Sequence, residues 1–163
     1  MLQGCVAGNA VMIQPKSISS SVYDCGNFTV QFDGMFADGF MVLYYIIPLA
    51  PLTNSSETEG YLELPITMYS RNEPVHTLSV QEVHVQLPEQ EEAIYPYKVE
   101  ITTDKHVPKD SWYYKTMKFT FKINRHELTE FQLIFPNAIN GCDVPPTPYI
   151  RKEKTHYITP TNS

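Results

Sequence analysis

Met117-Lys118-Phe119-Thr120-Phe121-Lys122-Ile123 alternates large apolar with polar side chains at every step. Period 2 is the signature of a strand with one face on a core and the other in water. Upstream, Tyr97, Val99 and Ile101 alternate with Lys98, Glu100 and Thr102, and the two segments read as neighbours in a meander. The same pattern recurs in Phe28, Val30 and Phe32, in Leu62, Leu64, Ile66 and Met68, and in Val83, Val85 and Leu87. Phe131 to Phe135 supplies a further strand after a polar turn over Asn124-Arg125-His126-Glu127. Pro65 cannot donate to a ladder, so its strand is expected at an edge or a bulge. Phe40 to Ile47 is apolar on both faces and suits a central strand covered from both sides.

Loops follow the turn chemistry. Asp33-Gly34 and Asp38-Gly39 bracket a tight connection, Asn54 to Gly60 is polar surface loop, and Pro88 to Ala93 has room for one helical turn. No long helical pattern exists to serve as a crossover, so the strands are expected to pair antiparallel. Composition agrees. The 19 Tyr and Phe residues favour pleated, half-buried surfaces, and 163 residues are enough for one domain with one core. The expected fold is all-β, an antiparallel β-sandwich of immunoglobulin-like architecture. Its body spans 22–143, between an N-terminal anchor or tether at 1–21 and a Pro-rich extended C-terminal tail at 144–163.

The formal charge of −6 argues against nucleic acid, because neutralising phosphates takes clustered Lys and Arg. Charge is unevenly spread, with two basic against eleven acidic residues up to Tyr97 (−9) and ten against seven from Lys98 onward (+3). Such asymmetry suits self-association or a protein partner, although interleaved strands would average it out. No apolar run reaches the ~18 residues of a spanning helix.

Motifs of catalysis and cofactor binding are missing from the sequence. His76, His84, His106, His126 and His156 lack metal-ligand spacing, and His126-Glu127-Leu128-Thr129-Glu130 has glutamate where a zinc-binding helix needs its second histidine. Glu57 with Glu59, and Glu89 with Glu91 and Glu92, read as solvated loop acids, and Asp33 with Asp38 as turn residues rather than a calcium loop. Asn27-Phe28-Thr29 and Asn54-Ser55-Ser56 fit the glycosylation sequon. No enzyme, metal or cofactor is therefore expected. The candidate contact residues are Trp112, Tyr113 and Tyr114, with Tyr95 and Tyr97, because Trp and Tyr give large contact area at low entropic cost. Closing the end of a sandwich is the competing use for such rings.

Cysteines occur at positions 5, 25 and 142. Three reduced cysteines of a cytosolic protein account for them, as does export. Leu2-Gln3-Gly4-Cys5, however, resembles the lipobox of bacterial lipoproteins, with Leu three before the cysteine and a small residue just before it. The resemblance implies a signal peptide encoded upstream of Met1 and cut before Cys5, a diacylglycerol on the Cys5 sulfur, and membrane attachment through that lipid. Val6 is not the aspartate that favours inner-membrane retention, so the resemblance implies the outer membrane, facing periplasm or surface, with Val6 to Ser21 as tether. With Cys5 so committed, Cys25 and Cys142 are left to pair, as an oxidising compartment permits. The function expected is a non-enzymatic envelope lipoprotein that binds a protein or builds an assembly. The alternative is an unanchored secreted or virion-type structural or adhesion module.

Overall fold

A computed structural model describes residues 5–44 and 60–158. Leu2-Gln3-Gly4, the Tyr45-Ile46-Ile47 end of the apolar run, the 54–59 loop with Glu57 and Glu59, and the Asn54 sequon lie outside them. The described chain is a sandwich of two antiparallel sheets. In chain order the strands are β1 (Cys5–Pro15), β2 (Val22–Asp24), β3 (Phe28–Phe32), β4 (Met35–Tyr44), β5 (Tyr61–Arg71), β6 (His84–Gln86), β7 (Lys98–Val107), β8 (Trp112–Asn124), β9 (Glu130–Ile134) and β10 (Thr147–Ile158). Sheet A runs β4-β1-β10-β9-β6 and sheet B runs β2-β3-β5-β8-β7.

The alternations translate directly into the inner face of sheet B. Leu62, Leu64 and Ile66 stand opposite Phe121, Phe119 and Met117 across the β5–β8 ladder, and Phe28, Val30 and Phe32 extend the layer, all of them buried. Sheet A answers with Ile13, Phe131, Leu133, Val85 and Tyr149. Phe131 and Tyr149 stack with centroids 5.0 Å apart, and Phe32 meets Phe135 across the sheets at 6.1 Å. The Tyr149 hydroxyl donates to the Asp33 carbonyl at 3.4 Å, and burial, with Asp33 nearby, holds its pKa above the ordinary phenol value. β7 and β8 pair as the meander reading expects, with a bulge between Ile101 and Thr103.

Two expected boundaries change. Cys5–Pro15 is not a tether but a strand paired with β4 on one side and β10 on the other. The Pro-rich segment after Cys142 runs extended only as far as Thr147, where β10 begins; that strand lies in the middle of sheet A. The backbone ladder holds both strands where side-chain patterning is weak. Pairing of β10 with β9 stops at Ile150↔Glu130, whereas β10 with β1 continues to Val6↔Ile158. Of the expected tether, Lys16 to Ser21 forms the connector, with a 3₁₀ turn over Ile18–Ser20 capped by the Ser17 hydroxyl.

Pro65 marks neither an edge nor a bulge, since β5 is the middle strand of sheet B. The Arg71 N–H bonds the Asn27 carbonyl, so odd-numbered N–H groups of β5 face β3. Pairing with β3 ends at Phe32↔Ile66, one residue short of Pro65, and the missing donor costs no ladder bond. β4 contradicts the central placement of the apolar run: among the described residues it pairs with β1 alone, at one end of sheet A. Asp38-Gly39 is no turn but part of β4, beside an irregularity in its pairing with β1, whereas Asp33-Gly34 does carry the chain from sheet B to sheet A. Pro88-Glu89 forms a turn without helix.

Cys25 and Cys142 are bridged, with Cα atoms 6.0 Å apart and a sequence separation of 117. Cys142 closes a two-residue hairpin in which Ile139 and Cys142 exchange both backbone bonds at 2.9 Å. Asn140 and Gly141 carry positive φ of 47° and 74°, the type I′ geometry for which Asn-Gly is suited. The Asn140 side chain then accepts from the His76 N–H and donates to the Pro74 carbonyl, both at 2.9 Å, pinning the β5–β6 loop beside the bridge.

His84, on β6, packs its ring 5.4 Å from Tyr95, and its buried Nδ1 has no hydrogen-bond partner. Burial lowers its pKa. Between the depressed folded value and the ordinary one the unfolded chain binds more protons, so stability rises with pH across that window. Melting temperatures between about pH 7 and pH 5 should therefore fall less in His84→Phe than in the parent. Parallel pH profiles for the two would remove His84 from the account.

Candidate functional site

The outer face of sheet B is the most feature-rich surface among the described residues. Side chains directly opposite across an antiparallel ladder share a face. The register therefore lines up Arg71, Trp112 and Val107 in one cross-strand row, Tyr69, Tyr114 and Lys105 in the next, and Thr67, Thr116 and Thr103 in a third. Tyr69, Trp112, Tyr114 and Val107 of the first two rows, with Thr29 and Asp110, line a depression of about 510 Å³. Tyr69 and Tyr114 lie 5.2 Å apart with planes inclined by 51°, and the Arg71 guanidinium sits 4.9 Å over the Trp112 ring. Burial, then the neighbouring Tyr114 and Asp33, raise the Tyr69 hydroxyl above its ordinary pKa.

Below the rings the face is polar and internally satisfied. Thr67 and Thr116 share a hydroxyl bond at 3.1 Å, and the Asp33 carboxylate accepts from Gln31 at 2.9 Å and from Thr67 at 3.4 Å. Lys118 lies 3.3 Å from both Glu63 and Glu100. Burial opposes its charge, but the two carboxylates outweigh that and raise its pKa, while Lys98 and Lys118 lower that of Glu100. At the far end Tyr61 meets Tyr97 edge-on at 5.8 Å, with Lys122 5.2 Å over the Tyr97 ring.

The five contact residues expected from sequence thus separate. Trp112 and Tyr114 come together, and Tyr97 lies at the opposite end of the same face. Tyr95 is elsewhere, against His84. Tyr113 points to the other face of β8, packs on the core and stacks on His106 at 4.2 Å. Tyr69 lines the depression and Arg71 lies over Trp112 beside it, and neither was among the expected residues. Their signal was available, since Tyr61 and Tyr69 occupy the outward positions of the Leu62 to Met68 alternation.

The other candidates resolve into structural roles. His76 Nε2 and the Glu82 carboxylate are 2.8 Å apart, and Glu82 also accepts from the Ser79 N–H; that bond, more than His76, lowers its pKa against burial. Asp33 is occupied by hydrogen bonds and Asp38 lies within β4, so the two do not form a loop. No group of His, Cys, Asp or Glu among the described residues could hold a metal ion. A second groove, of about 590 Å³, crosses the outside of sheet A between Lys16, Gln90, Glu91, Glu130 and Gln132. Part of its polar lining is already engaged, because the Gln86 amide donates to the Gln90 carbonyl.

No protein-family model, curated protein or solved structure matches this chain. Among the described residues no helix is long and apolar enough to cross a membrane.

Proposed function

We propose that this chain is a non-enzymatic lipoprotein of the bacterial envelope, an immunoglobulin-like sandwich that holds a partner protein on the outer face of sheet B. The observation that carries the reading is the Trp112–Tyr114–Tyr69 depression flanked by Arg71, the residue types that dominate binding energy at protein interfaces. The Cys25–Cys142 bridge supports an oxidising compartment, and Leu2-Gln3-Gly4-Cys5 supports a lipid on Cys5.

The anchor and the contact face belong to opposite ends of the strands. β8 runs from Trp112 to Asn124, a short turn leads to β9 at Glu130, and β10 continues from Ile150↔Glu130 toward Val6↔Ile158, next to Cys5. Since β1 begins at Cys5 itself, an acylated Cys5 would seat that end of sheet A on the membrane without a tether and turn Trp112 away from it.

Two measurements test this. Mass spectrometry of the protein from its own host should find diacylglycerol on Cys5, and a free thiol there would remove the anchor. A photo-crosslinking residue at position 114 should yield a covalent adduct with another protein in the envelope, and that adduct should vanish in Trp112→Ala. Absence of any adduct would remove the contact face.

A further inference from the structure

We infer that the depression around Trp112 takes an acidic segment of a partner protein, an inference that rests on the contact function above and adds the chemistry of what is held. Arg71 and Lys105 stand on either side of the aromatic pair, on β5 and β7, both exposed. Neither has an ion-pair partner among the described residues, whereas Lys115 and Lys118, on the strand between them, both do. Asp104, next to Lys105 in sequence, is directed at the inner-face Lys115, 3.3 Å away. Asp110 is the one acid at the rim of the depression. In a chain of formal charge −6, two exposed cations without ion-pair partners, bracketing half-buried rings, select a carboxylate-bearing partner by charge complementarity.

Other classes of ligand fit less well. Nucleic acid takes a longer track of cations than two. A glycan stacking on rings needs open, parallel faces, but Arg71 lies over Trp112, and Tyr69 and Tyr114 are inclined by 51° and lean on each other. A peptide whose apolar side chains fill the depression while its carboxylates reach Arg71 and Lys105 uses the rings and both cations.

Trp112 is the only tryptophan in the chain, so its fluorescence reports on the depression directly. The probe is a short capped peptide alternating Glu and Leu, compared with its Gln-for-Glu analogue and with a sulfated polysaccharide. The Glu peptide should shift Trp112 emission saturably, and the Gln analogue should bind several-fold more weakly. Arg71→Gln and Lys105→Gln, both exposed changes that leave the core intact, should each weaken binding about two- to fivefold, as loss of one rim charge pair does. Added salt should weaken it further.

Equal binding of the two peptides, or a response to the polysaccharide in place of the Glu peptide, would overturn the inference. So would an emission change that follows protein concentration without peptide, since a second copy would then be the occupant. If neither peptide acts but the position-114 adduct persists, the acidic preference fails and the contact face stands. Loss of both signals removes both.

Discussion

Reduction of the Cys25–Cys142 bridge, or Cys25→Ser, should lower the melting temperature by about 10–20 °C. The bridge spans 117 residues of sequence, and cross-linking so long a loop restricts the unfolded chain by about 4–5 kcal/mol in the chain-entropy model. A native-state effect adds to this. The bridge joins the β2–β3 turn to the Asn140-Gly141 hairpin, and Asn140 holds the backbone of Pro74 and His76, so losing it loosens three loops at once. Cys5→Ser should leave the melting temperature unchanged, because Cys5 takes no part in the Cys25–Cys142 bridge. Thermal melts with and without reductant decide the matter, and coincident curves for oxidised, reduced and Cys25→Ser protein would show that the clamp contributes nothing.

The bridge was legible in sequence only through the resemblance around Cys5, which left two cysteines over. The strands of sheet B were legible because each has one wet and one buried face, so period 2 is written into Phe28–Phe32, Leu62–Met68 and Met117–Ile123. β1 and β10 were not. Small residues, Ala7, Gly8, Asn9 and Ala10, fill four of the eleven positions of β1, and in β10 the buried Tyr149 is followed by Ile150, Arg151, Lys152 and Glu153, none of them buried. Those stretches are paired through backbone hydrogen bonds that every sequence can make, and backbone pairing leaves no apolar pattern. Pro65 misled for a related reason: whether a proline costs a ladder bond depends on where the neighbouring strand stops, a fact of register. The aromatic site was half legible. Trp112 and Tyr114 were visible as a cluster, but their neighbours Tyr69 and Arg71 lie more than forty positions away in sequence and enter only through the β5–β8 register.

Lys115→Ala should cost about 3–5 kcal/mol, comparable to truncating a core aromatic, although alternation reads a lysine as a surface residue. Lys115 continues the inward row of Met117, Phe119 and Phe121 and is buried at 6% exposure. Its ammonium donates to the Val75 carbonyl at 2.8 Å and to the Thr77 hydroxyl at 2.7 Å, fastening the β5–β6 loop under sheet B. The third partner, Asp104, is 58% exposed, so Asp104→Asn returns a solvated group to water and should cost less than about 1 kcal/mol. Lys115→Met keeps most of the volume but leaves the Val75 carbonyl unpaired, and should fall between the two, at about 1–3 kcal/mol. Urea unfolding with unchanged slope provides the comparison. If Asp104→Asn cost as much as Lys115→Ala, the ion pair would be the main contribution, and if Lys115→Met matched the parent, the loop bonds would contribute nothing. The site depends on the outcome, because the same loop begins at Arg71 and its Asn72 N–H bonds the Ser111 carbonyl, next to Trp112, at 2.9 Å. A lysine on the inner face thereby fastens the loop that leaves Arg71 and bonds the backbone beside Trp112 on the outer one.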